Sequence, residues 1–256
     1  MASIGSYDIV SKIGEGSFGR TFLATHKVLK FQAVLKQEKT AEPFNMKLFR
    51  EEAEMLQKMR HFGFPSLLDY YETPDVGQVM ALSYIPGITG ADLKPVTDEH
   101  MCWIIDRVLS ALSYLHGHWH MIHCDLKPDN IIIDVPNHMV TIIDLGMAAQ
   151  NVKSNSRAKG GTPGYMPPEF EAGLPPVTAS DIYSVGKIAI ALTGGDVLSG
   201  EPPDNMHSTL KDIIRKTILR DPRERYLSVD KLREDLHKTR MAIFGRTTSK
   251  VPIEYR

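Results

Sequence analysis

The sequence predicts an α+β fold with two lobes, a small strand-rich lobe over residues 1–82 and a larger, mostly helical lobe over residues 88–242. Short runs of alternating apolar and polar residues dominate the first part, and longer runs with helical spacing dominate the second. Pro86-Gly87 marks the change between the two patterns. We therefore predict a hinge over residues 83–87 and a C-terminal tail over residues 243–256.

The composition excludes several classes of protein. The chain has 256 residues, of which 42% are hydrophobic and 24% are charged, as is typical of globular proteins. A formal net charge of -1 argues against a nucleic-acid partner. Two cysteines are too few for a disulfide framework and favour a reducing compartment, which we take to be the cytoplasm. From the sequence we expect no signal peptide and no membrane-spanning segment.

The first lobe is predicted to contain one helix packed on an antiparallel sheet. The helix covers Phe44–Arg60, in which Phe49, Ala53, Leu56 and Met59 recur at intervals of three and four residues. Period-two patterns predict the strands Tyr7–Ile13, Thr21–Thr25, Phe31–Lys36, Leu67–Glu72 and Gln78–Tyr84.

The second lobe is predicted to be mostly helical. Thr97 is the expected N-cap of a long helix, and Asp98 and Glu99 suit the positive end of its dipole. Further helices are predicted over Thr178–Thr193, Ser208–Leu219 and Val229–Met241. Because the last residues are polar and basic, we expect the tail side chains to be solvated, namely Arg246, Lys250 and Arg256.

A glycine cluster, Gly14-Glu15-Gly16-Ser17-Phe18-Gly19, lies between the first two strands. The spacing alone is a weak signal, and an ordinary hairpin turn is the alternative interpretation. A dinucleotide-binding loop would open a helix, but here Thr21 and Leu23 begin a second strand. A glycine loop of this kind can place backbone N–H groups over phosphates, because glycine lets the chain approach closely.

Lys36 ends the apolar run Ala33-Val34-Leu35-Lys36. Its compact ammonium suits α- and β-phosphates, although a lone lysine at a strand end more often reaches solvent. A lysine with this role needs an acidic partner. We expect Glu52, which lies beside the apolar face of the predicted helix, rather than Glu51 or Glu54.

The most specific signal is the segment His123-Cys124-Asp125-Leu126-Lys127-Pro128-Asp129-Asn130. Asp125 can accept a proton from a hydroxyl, and Lys127 can contact a phosphoryl group in transfer. Further along, Asp144-Leu145-Gly146 ends another apolar strand with a carboxylate. Since Mg²⁺ prefers oxygen ligands, the amide of Asn130 and the carboxylate of Asp144 form a candidate metal site.

Taken in order, these motifs resemble the eukaryotic-type protein kinase family over about residues 5–242. The glycine loop, Lys36, Glu52, HCDLKPDN, DLG and Pro167-Pro168-Glu169 follow the family's order. DLKP and Gly161-Thr162-Pro163-Gly164-Tyr165 are similar to the serine/threonine class. The resemblance implies a bilobal protein-kinase-like fold and transfer of the γ-phosphoryl of Mg-ATP to a serine or threonine hydroxyl of a protein substrate, with Mn²⁺ as the alternative metal.

The resemblance also implies individual roles. Asp181 would hold the backbone of the catalytic loop, and Glu169 would pair with Arg225. The implied catalytic residues are Asp125, Lys127, Lys36, Glu52 and Thr162, and the implied metal ligands are Asn130 and Asp144. The residues implied to bind ATP are Ile13, Gly14, Glu15, Gly16, Ser17, Phe18, Gly19, Thr21, Val34, Lys36, Leu82, Ser83, Ile85 and Ile132.

Cys124 departs from the family, because it replaces the arginine that usually receives an activation-loop phosphate. We therefore expect activity that does not strictly depend on phosphorylation of Ser154 or Ser156, as in kinases of the non-RD type. The alternative is that a basic residue nearby supplies the missing charge: Lys153, Arg157 or Lys159.

Smaller departures concern packing and length. Leu145 replaces the phenylalanine of D-F-G, and we expect it to pack conservatively. Thr21 and Val34 change the expected adenine site and with it the affinity for ATP. The short interval between Asp181 and Arg225 implies that Gly194–Asn205 replaces a helix that often docks substrates.

Two other functions stay open. A pseudokinase would bind nucleotide or act as a scaffold without turnover. A small-molecule phosphotransferase of related fold would usually lack the peptide-positioning segment that this chain has. The sequence leaves the oligomeric state open.

Two further interpretations are weaker. A zinc cluster is conceivable at His116, His118, His120, His123 and Cys124, but the catalytic loop leaves little freedom for it. Cys124 is a poor candidate nucleophile, since we expect the adjacent Asp125 to raise its pKa.

Overall fold

The computed structural model describes residues 2–16, 19–39, 42–73, 76–246 and 253. The chain separates into two compact units, Met1–Ile85 and Pro86–Arg256. No helix within the described ranges combines the length and apolar character needed to cross a lipid bilayer.

The first unit is built on a six-stranded antiparallel sheet with strand order β1-β2-β3-β4-β6-β5. Its strands are β1 (Ser3–Ile4), β2 (Tyr7–Glu15), β3 (Gly19–His26), β4 (Gln32–Glu38), β5 (Leu67–Thr73) and β6 (Gly77–Ser83). The strands predicted from period-two patterns are all present with ends shifted by one or two residues. The two-residue β1 is too short to produce such a pattern, so the sequence did not predict it.

The two faces of this sheet carry different kinds of side chain. One face packs a core that includes Ala24, Ala33, Leu35 and Val79. Because successive side chains of a strand point to opposite faces, Lys36 belongs to the other face.

Helix α1 (Pro43–Lys58) joins β4 to β5. It begins with a proline at a first-turn position, where no intrahelical N–H bond is lost. Phe49, Ala53, Leu56 and Met59 are buried, as the pattern predicts, and Leu48 is buried beside them. The helix ends two residues before the predicted Arg60.

The second unit is mostly helical. Its helices are α2 (Asp98–Trp119), α3 (Pro168–Glu171), α4 (Thr178–Thr193), α5 (Ser208–Thr217) and α6 (Val229–Phe244). Thr97 caps α2 as predicted, since its hydroxyl accepts a hydrogen bond from the N–H of His100. Helix α4 is buried along nearly its whole length, which agrees with its apolar sequence.

Within its described residues, the second unit also contains five short strands. They are β7 (Ile88–Thr89), β8 (Met121–Ile122), β9 (Ile131–Asp134), β10 (Met139–Ile142) and β11 (Ala149–Gln150). β9 and β10 form an antiparallel hairpin with β7 beside β9, and β11 pairs with β8. A 3-10 helix, Pro128–Asn130, leads into β9, and a second one, Pro222–Glu224, precedes α6.

The end of the chain differs from the expected solvated tail. Helix α6 continues to Phe244, so the tail expected from residue 243 begins inside a helix. Arg246 makes a bidentate ion pair with Glu99 of α2, with N···O distances of 2.6 and 2.9 Å. The sequence offers no signal for this pair because the partners are 147 positions apart. Lys250 and Arg256 lie outside the described residues.

Residues 194–207, all of them described, contain no helix. This stretch is held instead by a bridge between Asp196 and Glu201 and by the buried Lys187, whose ammonium donates to the Val197 carbonyl at 2.6 Å.

Candidate active site

The glycine cluster forms the turn between β2 and β3. The N–H of Gly16 donates to the carbonyl of Gly19 at 2.9 Å, which closes the turn. A Cβ on Gly19 would lie 2.7 Å from the Gln37 carbonyl, so packing against β4 requires glycine there. Gly14 and Gly16 have no such requirement among the described residues. Packing therefore explains only one of the three glycines.

Glu15 ends β2 at the start of this turn. Glu15 binds Lys39 at 2.9 Å and also pairs with Lys12, and hydrogen bonds from these two lysines lower the pKa of Glu15 to about 2. Ser17 and Phe18 lie outside the described residues.

Four of the residues implied to bind ATP share one face of the first unit's sheet. Thr21 lies opposite Lys36, and Val34 lies opposite Leu82. Directly opposed side chains, and those two apart on one strand, point to the same side. This is the face away from the apolar core.

The remaining implied ATP residues are more scattered. Ile13 is about half exposed on β2, and Ile85 ends the first unit. The Ser83 N–H donates to the Ser66 carbonyl at 2.9 Å. Ile132 belongs to the second unit, in β9.

Lys36 and Glu52 form an ion pair within the first unit. The ammonium lies 2.9 Å from Oε1 and 2.7 Å from Oε2, and both side chains are largely buried. Glu51 pairs instead with Lys47 on the helix surface, and Glu54 is exposed. The structure thus separates Glu52 from its two rivals by burial and by contact.

In the second unit, three side chains meet at the catalytic-loop motif. The hydroxyl of Thr162 donates to Oδ1 of Asp125 at 2.7 Å and accepts from the ammonium of Lys127 at 2.9 Å. Lys127 also lies 3.5 Å from Oδ2 of Asp125. Asp125 is therefore seen in contact with an alcohol hydroxyl and a cation together.

The β9–β10 hairpin brings Asn130 and Asp144 to the same end. Ile142 pairs with Ile131, and the next N–H, of Ile143, donates to the Asn130 carbonyl at 2.8 Å. The amide nitrogen of Asn130 donates to the Asp125 carbonyl at 2.8 Å, which leaves the amide oxygen as the atom suited to a cation. Asp144 has φ +69°, in the left-handed region, and its Oδ1 accepts from the N–H of Gly146 at 3.2 Å.

Asp181 supports this loop from α4. Its carboxylate accepts from the backbone N–H groups of His123 and Cys124 at 2.8 and 3.0 Å. Nε2 of His116 lies 2.8 Å from the same carboxylate. Burial opposes ionisation, but these contacts hold the pKa of Asp181 below its usual value.

Glu169 and Arg225 form a fully buried bidentate pair with both N···O distances at 2.8 Å. Arg225 also donates to the carbonyls of Leu219 and Ala179. The hydroxyl of Ser180 completes the pair by donating to Glu169 at 2.8 Å. The sequence analysis missed Ser180, whose only signal is its position next to Asp181.

Cys124 is a buried thiol, and His116 and His118 contact other side chains. Burial, more than any neighbour, raises the pKa of the Cys124 thiol, with Asp181 next; Asp125, which the sequence suggested as the cause, contributes least. His118 stacks on Tyr114. Across the described ranges, no group of three or more His, Cys, Asp and Glu side chains is placed to hold a metal ion.

Comparison with known proteins agrees with these motifs. The protein kinase domain family model matches residues 7–236. Serine/threonine-protein kinase D of Synechocystis is 30% identical over 263 residues, covering 90% of this chain and 52% of that protein. Serine/threonine-protein kinase PknA of Nostoc is 29% identical over 265 residues, covering 90% and 46%. Human serine/threonine-protein kinase H1 is 26% identical over 260 residues, covering 89% and 60%. The chain thus spans about half the length of the curated relatives it matches.

Proposed function

The chain belongs to the protein kinase family, and we propose that it is a serine/threonine protein kinase, which transfers the γ-phosphoryl of Mg-ATP to a hydroxyl of a protein substrate. The observation that carries this proposal is the hydroxyl of Thr162 bonded to both Asp125 and Lys127. It means that Asp125 can accept a hydrogen bond from an alcohol while a cation lies alongside.

Asp125 and Lys127 would act on different groups in the reaction. Asp125 would orient the substrate hydroxyl and accept its proton, and Lys127 would neutralise charge on the phosphoryl group. Because phosphoryl transfer passes through a loose transition state, positioning and charge stabilisation supply most of the catalysis. The hydroxyl of Thr162 would fix the side chains of Asp125 and Lys127 relative to each other.

The family generally uses ATP and Mg²⁺, and the donor set of the second unit fits that metal. Asn130 offers an amide oxygen whose nitrogen is fixed on Asp125, and Asp144 offers a carboxylate from the adjoining strand end. Both are hard oxygen ligands of the kind that Mg²⁺ takes alongside phosphates. Bound Mg²⁺ would neutralise phosphate charge.

The first unit would bind the nucleotide itself. Lys36, fixed by Glu52, would contact the α- and β-phosphates. The sheet face that carries Thr21, Val34 and Leu82 would accept the adenine ring, since those side chains lie on the same side as Lys36. We also propose that the protein works in a reducing, cytoplasmic compartment, because both cysteines are free thiols.

Charge-removing variants of three aspartates test the proposal. We expect Asp125→Asn and Asp144→Asn to lower kcat at least about 100-fold, the scale of a lost proton acceptor or metal ligand. Asp129→Asn is the matched control, because Asp129 is exposed in the same loop and should stay within about 2-fold. Asparagine is chosen because it tolerates the left-handed backbone at residue 144. The measurement is transfer of labelled phosphate from Mg-ATP to serine and threonine of a generic basic protein.

If the parent chain binds ATP but transfers no phosphate, the result would contradict the proposal and favour a pseudokinase. Transfer that survives in Asp125→Asn would contradict the role given to Asp125.

A further inference from the structure

The residues that follow Asp144 form a tight turn. The N–H of Ala148 donates to the Leu145 carbonyl at 2.9 Å, and the N–H of Gly146 donates to the Asp144 carboxylate at 3.2 Å. The candidate metal ligand is thus held by the backbone of this turn. We call residues 145–162 the activation segment.

Lys159 reaches back to the same turn from the far end of the segment. Its ammonium lies 3.1 Å from the Ala148 carbonyl and 3.5 Å from the Gly146 carbonyl, 11 and 13 positions earlier in the chain. Gly160 lies against Met147, since a Cβ on Gly160 would be 3.0 Å from the methyl group of Met147. The two ends of the segment therefore meet.

Three residues after Lys159 comes Thr162, whose hydroxyl contacts Asp125 and Lys127. The candidate metal ligand Asp144 thus directly precedes one end of the closed segment and is held by its first turn, and the other end carries a member of the catalytic cluster. A cation that joins the ends fixes both positions together.

Lys159 also interacts electrostatically with Cys124, the residue that replaces the expected arginine. Its positive charge partly offsets the rise that burial causes in the pKa of the Cys124 thiol, as does a hydrogen bond from the backbone of Ala149. Of the other basic candidates, Arg157 makes a local contact, because its guanidinium donates to the Ser156 carbonyl. Lys153 contacts the Ser156 hydroxyl through its backbone N–H rather than its ammonium. Of the three, Lys159 is the one seen to bridge the segment.

We propose that Lys159 is a positioning residue that closes the activation segment through the Gly146 and Ala148 carbonyls and so holds Asp144 and Thr162 in place without a phosphate group. The proposal rests on the proposed function for its catalytic consequence, but closure of the segment is independent of turnover. A cation bonded to two carbonyls takes the place of a phosphate bonded to an arginine.

The test compares Lys159→Gln, Lys159→Arg and the control Lys153→Gln by hydrogen exchange and by kinetics. We expect Lys159→Gln to speed exchange of the Gly146 and Ala148 amides about 10-fold or more, since a hydrogen bond to a charged group is lost. We expect it also to lower kcat about 10-fold or more and to raise the Mg²⁺ concentration for half-maximal activity, because a displaced carboxylate positions the metal poorly. Lys159→Arg should restore most of both properties, and Lys153→Gln should match the parent.

Unchanged amide exchange in Lys159→Gln would overturn the proposal, whether or not the chain transfers phosphate. Equal losses in Lys159→Arg and Lys159→Gln would also overturn it, because arginine keeps the charge. If the parent chain shows no transfer, the proposed function fails, and the exchange measurement still decides whether Lys159 closes the segment.

Discussion

Asp181 is almost fully buried, and yet its pKa lies below the usual value. Two backbone N–H groups and His116 surround the carboxylate, which outweighs the desolvation that burial imposes. Because those N–H groups belong to the catalytic loop, a single buried charge fixes the backbone that presents Asp125. The geometry of the candidate site thus depends on residues that do not touch substrate.

His123 lies next to this charge and is completely buried. Burial lowers its pKa, although Asp181, Asp144 and Asp125 oppose the shift and His116 adds to it. The unfolded histidine takes up a proton near pH 6.5, whereas the folded one does so only at lower pH. Between those two pH values the unfolded state binds more protons, so the free energy of unfolding falls as pH falls.

We therefore expect the free energy of unfolding to decrease below about pH 6.5, with His123 contributing a slope of at most about 1.4 kcal/mol per pH unit. Urea denaturation between about pH 5 and about pH 7.5 measures it. His123→Phe should flatten the dependence, and the exposed His237→Gln should keep the parent's slope. An unchanged slope in His123→Phe would show that another group is responsible.

Some residue roles could be predicted from the sequence and others could not. Glu52 was separable from Glu51 and Glu54 because helical periodicity predicts which side of α1 is buried. The role of Lys159 was open, since which of three cations bridges the segment depends on how the loop closes. The occupied Ser83 N–H was also not foreseeable, because its partner Ser66 lies on a loop without a regular pattern.

At the scale of elements, the Glu169–Arg225 pair joins α3 to the segment that precedes α6. Both side chains are at most 2% exposed. Arg225 also donates hydrogen bonds to the carbonyls of Leu219 and Ala179. Removing one partner leaves the other charge buried and unpaired, which is far more costly than losing a surface pair.

We expect Arg225→Ala to lower the free energy of unfolding by about 3–5 kcal/mol. The matched control is Arg223→Ala, two residues away, whose pair with Asp221 is largely exposed and should matter little. Chemical denaturation of the two variants beside the parent measures the difference. Similar losses in both variants would contradict the account of the buried pair.

Elements with strong periodicity could be predicted, and elements fixed by distant contacts could not. The amphipathic α1 and the apolar α4 lie where their patterns place them. The Arg246–Glu99 pair depends on α2, which is far away in sequence. The end of α6 is set locally, by Gly245 in the left-handed conformation. The polar composition of the tail led to the prediction that Arg246 is solvated. Composition alone does not reveal a partner such as Glu99.

At the scale of the whole molecule, the order of motifs identified the family, and the match over residues 7–236 confirms it. Each motif is weak or ambiguous by itself, but their order along one chain is restrictive. We propose that the departure at Cys124 separates this chain from kinases that require a phosphate on the activation segment. If the activation segment closes on itself, activity needs no prior phosphorylation.

The most direct measurement is therefore the time course of phosphate transfer by the chain after phosphatase treatment and removal of the phosphatase. We expect transfer from Mg-ATP to serine and threonine of a basic protein from the first time point, with equal rates in the parent, Ser154→Ala and Ser156→Ala. Thr162 is left intact because its hydroxyl contacts Asp125. A lag that ends only after phosphorylation of Ser154 or Ser156, or no transfer despite ATP binding, would contradict the account.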